Sequence, residues 1–216
     1  MANSGFRDIR CIVFDIDDTL YLERDYVRSG FEAIGRVTCE SFGKKCWELF
    51  EQGVRGNTFD IARQYFAHLP LPETKILVDI YREHQPNIRM CEDAACYFEQ
   101  FHWIPSAIIT DGPLVSQQKK VAALGLDKLI SSSSIIYTAQ TGYPKPNQDA
   151  FKRIERIFEC FPEQCLYVAD NPMKDFQAPY QRGWFTYRIR RPQSLHYEEA
   201  TPSYVTTESE SFPKFF

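Results

Sequence analysis

The chain has 216 residues, of which 44% are hydrophobic and 15% aromatic, the composition of one folded domain, alone or carrying an insert, and not of a disordered or fibrous protein. Its net charge of -4 gives no general attraction to nucleic acid or to an anionic membrane surface. Apolar runs such as Cys11 to Phe14 fall far short of the ~20 residues a membrane-spanning helix needs, so no nucleic acid and no membrane is expected as a partner, and the first ten residues carry no apolar signal core, which predicts a cytoplasmic setting.

The first predicted strand, residues 10–15, runs straight into acid in "CIVFDIDDTLY", with Asp15, Asp17 and Asp18 followed by Thr19. Two carboxylates about 4 Å apart repel by roughly 4 kcal/mol at an effective dielectric near 20. A bound cation, a shared proton or outward pointing into water could offset this.

Residues 20–88 then show helical apolar spacing and no strand. Val27, Phe31, Ile34 and Val37 make one stripe, Trp47 and Phe50 a second, Ile61, Ala62, Tyr65, Phe66 and Leu69 a third, and Ile76, Leu77, Ile80 and Tyr81 a fourth. A helical insert of about four helices, closing near Pro86, is expected. A crossover helix over 91–102 returns the chain to the sheet. Strands follow at 106–111, 134–138, 165–170 and 184–189, separated by helices that start at Pro113 and near Asn147. Strand and helix alternating in this way predict an α/β fold with a mostly parallel sheet. The domains so defined are a core of residues 1–19 and 89–216 and an insert of 20–88. Ser131 to Ser134 and the tail "TTESESFPKFF" read as loops. Seven cysteines without close pairing read as free thiols rather than metal ligands.

In an open parallel sheet, ligands bind beyond the C-terminal strand ends. Those ends carry Asp15 and Asp17, then Thr110, Asp111 and Gly112, then Asp170 with Asp175 five residues on, while Lys145 stands between two prolines after the third strand. A phosphate could take its positive charge and donors from Lys145, the Thr110 hydroxyl and the N–H groups around Gly112. A cation could take hard oxygens from Asp15, Asp170 and a backbone carbonyl. No Walker-type or GxGxxG sequence occurs, so nucleotide chemistry of those kinds has no support.

Four stretches in order, "DIDDT" at 15–19, "TDG" at 110–112, Lys145 in "PKP" and "DNPMKD" at 170–175, resemble the motifs of the haloacid dehalogenase superfamily, most of whose members are Mg²⁺-dependent phosphatases. The resemblance spans about residues 10–190. It implies a Rossmann-like core, with 20–88 as a mobile four-helix cap. It implies Asp15 as the nucleophile that becomes an aspartyl-phosphate, and Asp17 as the acid and then the base. Thr110, Asp111, Gly112 and Lys145 would bind phosphate. Asp15, the Asp17 backbone carbonyl and Asp170 would hold Mg²⁺, with Asp175 and Asn171 in support. One departure is Ala169, which stands where many members have glycine.

The function so implied is a Mg²⁺-dependent phosphomonoesterase acting on a small phosphorylated metabolite. A phosphomutase or phosphotransferase, a dehalogenase and a non-catalytic binding module are the alternatives. The dehalogenase is disfavoured because cleaving a C–halogen bond needs no acid such as Asp17, and the family's dehalogenases lack one there. Asp18 reads as a structural turn residue, and Asp111 could equally cap the next helix. Arg188, Arg190 and Arg191 read as surface charge. Tyr21, Arg24, Tyr26 and Arg28 could face either substrate or solvent. Neither the substrate nor the oligomeric state is set by these features.

Overall fold

In a computed structural model of the protein, which describes residues 8–212, the first apolar run forms β1 (Cys11–Phe14). All four side chains are buried, as suits a parallel strand covered on both faces. The chain then leaves the sheet for four helices, α1 (Glu23–Val37), α2 (Glu40–Glu51), α3 (Thr58–Tyr65) and α4 (Thr74–Glu83). Their stripes meet in a core of their own, around Val27, Phe31, Ile34, Phe42, Leu49 and Leu77. Val37, Tyr65 and Ile76, assigned to those stripes by spacing, are instead exposed. The first two are the last residues of α1 and α3 and the third lies in the first turn of α4, where neighbouring helices no longer cover them. The insert closes where the Cys91 N–H donates to the Leu20 carbonyl at 2.8 Å.

The core continues with α5 (Glu92–Gln100), β2 (Ser106–Thr110), α6 (Leu114–Ala123), the single turn α7 (Leu126–Leu129), β3 (Ile135–Tyr137), the single turn α8 (Thr138–Thr141), α9 (Asp149–Phe158), β4 (Cys165–Ala169), α10 (Gln177–Arg182), β5 (Phe185–Ile189) and β6 (Thr207–Ser209). The six strands form one parallel sheet in the order β3-β2-β1-β4-β5-β6. Alternation along the strands supplies two layers. Ile12, Phe14, Leu166 and Val168 face Tyr97 and Phe98 of α5, while Cys11, Val13 and Tyr167 face Phe151 and Ile154 of α9. The expected α/β class, parallel sheet and strand positions are therefore present. No helix among the described residues is long and apolar enough to cross a membrane.

Two expectations are corrected. Part of the tail read as loop is β6, which pairs with β5 through Tyr187–Thr207, Arg188–Glu208 and Ile189–Ser209; a three-residue polar edge strand has no apolar alternation to betray it. Arg188 and Arg191 are not surface charge but buried. Because the segment after β5 folds back over it, Arg188 donates to the carbonyls of Asp170, His196 and Glu199 at 3.0, 2.7 and 2.8 Å. Arg191 donates to the Thr19 carbonyl at 2.9 Å. The last residues of the tail, 213–216, lie outside the described residues, as do 1–7.

Helices α1 and α2 cross closely because a Cβ on Gly43 would lie 2.5 Å from the Phe31 carbonyl oxygen, whereas one on Gly35 would meet nothing nearer than 3.5 Å. Gly43→Ala is therefore expected to cost about 1–3 kcal/mol, the range for overpacking. Gly35→Ala, relieved of glycine's helix penalty, should be neutral or stabilising by up to about 1 kcal/mol. Thermal unfolding followed by circular dichroism checks the pair, and equal stability of the two variants would contradict the close crossing.

Candidate active site

From β1 the connections run one way to β2 and β3 and the other way to β4, β5 and β6, which leaves a crevice at the strand ends beside β1. Register brings Phe14 opposite both Ile108 and Val168. The polar residues that follow β1, β2 and β4 therefore emerge at one level.

The deepest feature is a lysine among carboxylates. Lys145 Nζ lies 2.7 Å from Asp15 Oδ1 and 2.7 Å from Asp175 Oδ1, and it donates to the Tyr167 hydroxyl at 3.0 Å. All three charged groups are buried. Burial works against the ammonium, but Asp15 and Asp175 outweigh it and hold Lys145 protonated well above its usual range. Asp170 is the third carboxylate, and oxygens of Asp15, Asp170 and Asp175 lie within 4.8 Å of one another, close enough for one cation to reach all three. Burial, helped by Asp175 and Asp15, pushes Asp170 well above the carboxylate range. Burial also raises Asp15, to about 6, although Lys145 opposes it.

Asp17 points away from this cluster. Its Oδ1 accepts from Lys120 Nζ at 2.6 Å and from the Tyr21 hydroxyl, and its Oδ2 accepts from Gln117 Nε2 at 3.0 Å. Burial alone would raise Asp17, but the charge and hydrogen bond of Lys120, with the other two donors, hold it below the usual range. Asp18 has the structural role expected of it. At φ 50° it accepts the Glu23 N–H at 2.8 Å and the Leu195 N–H at 2.7 Å, tying the turn to the start of α1 and to the segment after β5.

A cavity of about 320 Å³ opens above these groups. Of the residues singled out in the sequence, Asp15, Asp17, Tyr26, Asp111, Gly112, Asp170 and Asn171 line it. Lys145, Asp175 and Thr110 lie beneath that lining. The Thr110 hydroxyl donates to Gln117 Oε1 at 2.9 Å. Asp111 does not cap α6, whose N-terminus has no side-chain cap. Its Oδ1 instead accepts from the Thr138 hydroxyl at 2.7 Å and the Lys145 N–H at 3.2 Å, and its Oδ2 meets Lys174 Nζ at 3.3 Å. Gly112 sits at φ +117°, where only glycine is unstrained, and a Cβ would press on Gln117 Nε2 at 3.0 Å. Asn171 donates its N–H to Asp175 Oδ2 at 3.0 Å, and its side-chain nitrogen lies 2.8 Å from His196 Nε2.

The insert contributes Glu23, Tyr26, Tyr81 and Arg82 to the cavity wall. Tyr21 is buried on Asp17 and Tyr26 faces the cavity, while Arg24 and Arg28 stack against Trp47 at 5.5 and 5.7 Å. Glu23, raised to about 8 by burial and by Asp17, was not singled out from sequence, nor were Ser116, Gln117 and Lys120 of α6 or Lys174. The spacing of 116, 117 and 120 puts those three on one helix face. Combined with a helix that starts at a strand's C-terminal end, that spacing was the available signal.

The family model of the haloacid dehalogenase-like hydrolases matches residues 9–179. Glyceraldehyde 3-phosphate phosphatase of Methanopyrus kandleri is 24% identical over 205 residues, covering 85% of this chain and 84% of the relative. The enzyme of that name from Pyrococcus furiosus is 23% identical over 224 residues, covering 94% and 90%. Among solved structures, the magnesium-bound HAD-hydrolase YfnB of Bacillus subtilis aligns with a TM-score of 0.69 at 19% identity, covering 95% of this chain and 96% of that one. The L-2-haloacid dehalogenase of Xanthobacter autotrophicus aligns at 0.57 and 21%, covering 85% and 78%. With the model matched over most of its length, the chain belongs to the haloacid dehalogenase-like hydrolase family.

Proposed function

We propose that this hydrolase is a Mg²⁺-dependent phosphomonoesterase of a small phosphorylated metabolite, acting through an aspartyl-phosphate on Asp15, with the helical insert as its cap. The observation that carries the reading is the buried cluster of Asp15, Asp170 and Asp175 around Lys145. Ionising all three carboxylates against one ammonium would leave two negative charges in a buried site, which is why Asp170 is pushed towards its protonated form, and a divalent cation would balance them. The donors are hard carboxylate oxygens, which suit Mg²⁺ and not a thiophilic metal. Asp15, Asp170 and the Asp17 carbonyl would hold the ion, with Asp175 in support. When bound, it would supply positive charge to the phosphoryl oxygens.

The protein's own groups carry the remaining chemistry. An Asp15 carboxylate oxygen attacks phosphorus and the bond to the leaving oxygen breaks. Asp17, on the other side of the cavity, gives that oxygen its proton. Asp17 rests as a carboxylate; the arriving phosphate dianion raises its proton affinity by like-charge repulsion, so that as substrate binds it takes up from solvent the proton it then donates. It then takes the proton of the water that attacks the acyl phosphate, releasing inorganic phosphate and restoring Asp15. Gly112 and its neighbours, with Lys145 beneath Asp15 and Lys174 in the wall, supply donors and positive charge for the phosphoryl group; Thr110 acts through Gln117.

The two relatives named as glyceraldehyde 3-phosphate phosphatases support a small sugar phosphate as substrate, and so does a cavity at the small end of ligand sites. Phosphate release from a panel of sugar phosphates that includes glyceraldehyde 3-phosphate tests this. Turnover should need Mg²⁺, stop with EDTA, and fall at least ~10³-fold in Asp15→Asn. Halide release from a 2-haloacid exceeding phosphate release would overturn it.

The raised proton affinities of Asp15 and Asp170 fix a sign for metal binding. Protons compete for the same oxygens as pH falls through about 6, so Mg²⁺ binding weakens in acid. Calorimetric titration should give at least ~10-fold lower Mg²⁺ affinity at pH ~5.5 than at ~7.5. A pH-independent affinity would contradict the buried carboxylates as ligands.

A further inference from the structure

Helix α6 is engaged on both sides of the cavity. Towards the core, Gln117 is fixed at both ends of its amide, accepting from Thr110 Oγ1 at 2.9 Å and donating to Asp17 Oδ2 at 3.0 Å. One turn on, Lys120 puts Nζ 2.6 Å from Asp17 Oδ1 and 4.2 Å from the centre of the Tyr26 ring. Its ammonium is buried, so the pairing with Asp17 is poorly screened by solvent. Towards the insert, the Ser116 hydroxyl donates to the Arg82 carbonyl at 3.2 Å, and Lys119 Nζ donates to the Glu83 carbonyl. Those two are among the last carbonyls of α4, which lack partners within their own helix. One face of one helix thus holds the end of the insert and both oxygens of Asp17.

We propose that Gln117 and Lys120 are positioning residues for Asp17, setting the place from which its carboxyl meets the leaving oxygen of the ester. The proposal rests on the acid role given to Asp17 above. Both residues sit in the cavity wall, so the competing role is direct contact with the phosphoryl group. The two roles separate on the leaving group. An alkyl ester expels a basic alkoxide and depends on a correctly placed acid, whereas an aryl ester expels a weakly basic phenolate and scarcely does.

The test compares kcat/KM for glyceraldehyde 3-phosphate and for p-nitrophenyl phosphate in Lys120→Met, Lys120→Arg and Gln117→Met, each alone and combined with Asp17→Asn. Lys120→Met and Gln117→Met should lower the alkyl value ~10–100-fold and the aryl value less than ~5-fold. Lys120→Arg should recover most of the loss. On the Asp17→Asn background neither residue should cost more than ~2-fold further, since groups that act through one another do not add. Equal losses on both esters, or full additivity with Asp17→Asn, would overturn the positioning role. Gln117→Met gives up only neutral hydrogen bonds and carries the same comparison if Lys120→Met does not fold. Should Asp17→Asn itself affect both esters alike, the acid role of Asp17 fails and the positioning role with it. An ester-selective loss in Asp17→Asn beside a uniform loss in Lys120→Met would overturn the positioning role alone.

Discussion

The site depends on Lys145 being held between Asp15 and Asp175, 2.7 Å from each. Without an ammonium there, three buried carboxylates within 4.8 Å of one another would repel by about 3 kcal/mol per pair at an effective dielectric near 20. The same contact joins the loop after β3 to the ends of β1 and β4, elements that lie far apart in the chain. Its geometry also explains why Lys145 is not in the cavity wall. A lysine serving as counter-ion to Asp15 is most effective below it, where solvent does not screen the charge.

The carboxylates are kept in two groups with opposite environments. Asp15 and Asp170, buried beside Asp175, are pushed towards the protonated form, while Asp17, with Lys120, Tyr21 and Gln117 upon it, is held ionised. Such a division gives neighbouring acids different tasks. It depends on α6 and the turn after β1 being held together, since Lys120 and Gln117 of α6 reach Asp17. Asp18 contributes by binding the start of α1 and the segment after β5 with its two oxygens. Arg188 contributes from behind, where its guanidinium ties the Asp170 carbonyl to the backbone at His196 and Glu199.

Much of this was legible in the sequence because acids at strand ends break an apolar pattern conspicuously. Asp15, Asp17, Asp111, Asp170 and Asp175 could be picked out, and the four-helix insert followed from its stripes. Other parts were not legible, for physical reasons. Lys120 and Gln117 lie on an ordinary polar helix face, and only the fold reveals that this face meets a carboxylate. Arg188 and Arg191 resemble a solvated strand end unless the chain beyond is known to return, and for Arg188 that return is made by the segment after β5, whose carbonyls at His196 and Glu199 receive its guanidinium. Asp111 suggested a helix cap by position, yet its carboxylate organises the loop bearing Lys145. Backbone need could be inferred for Gly112, but not the closeness of Gln117, whose amide a side chain there would press upon.

Of the two carboxylates paired with Lys145, Asp15 is the proposed phosphoryl acceptor. The most direct measurement is acid quenching of the Mg²⁺-loaded protein during turnover of ³²P-labelled p-nitrophenyl phosphate, followed by peptide mapping. Acid-stable, alkali-labile label is expected on the peptide containing Asp15 and is absent from Asp15→Asn. Turnover with no protein-bound label at any quench time, or label on another residue, would contradict it.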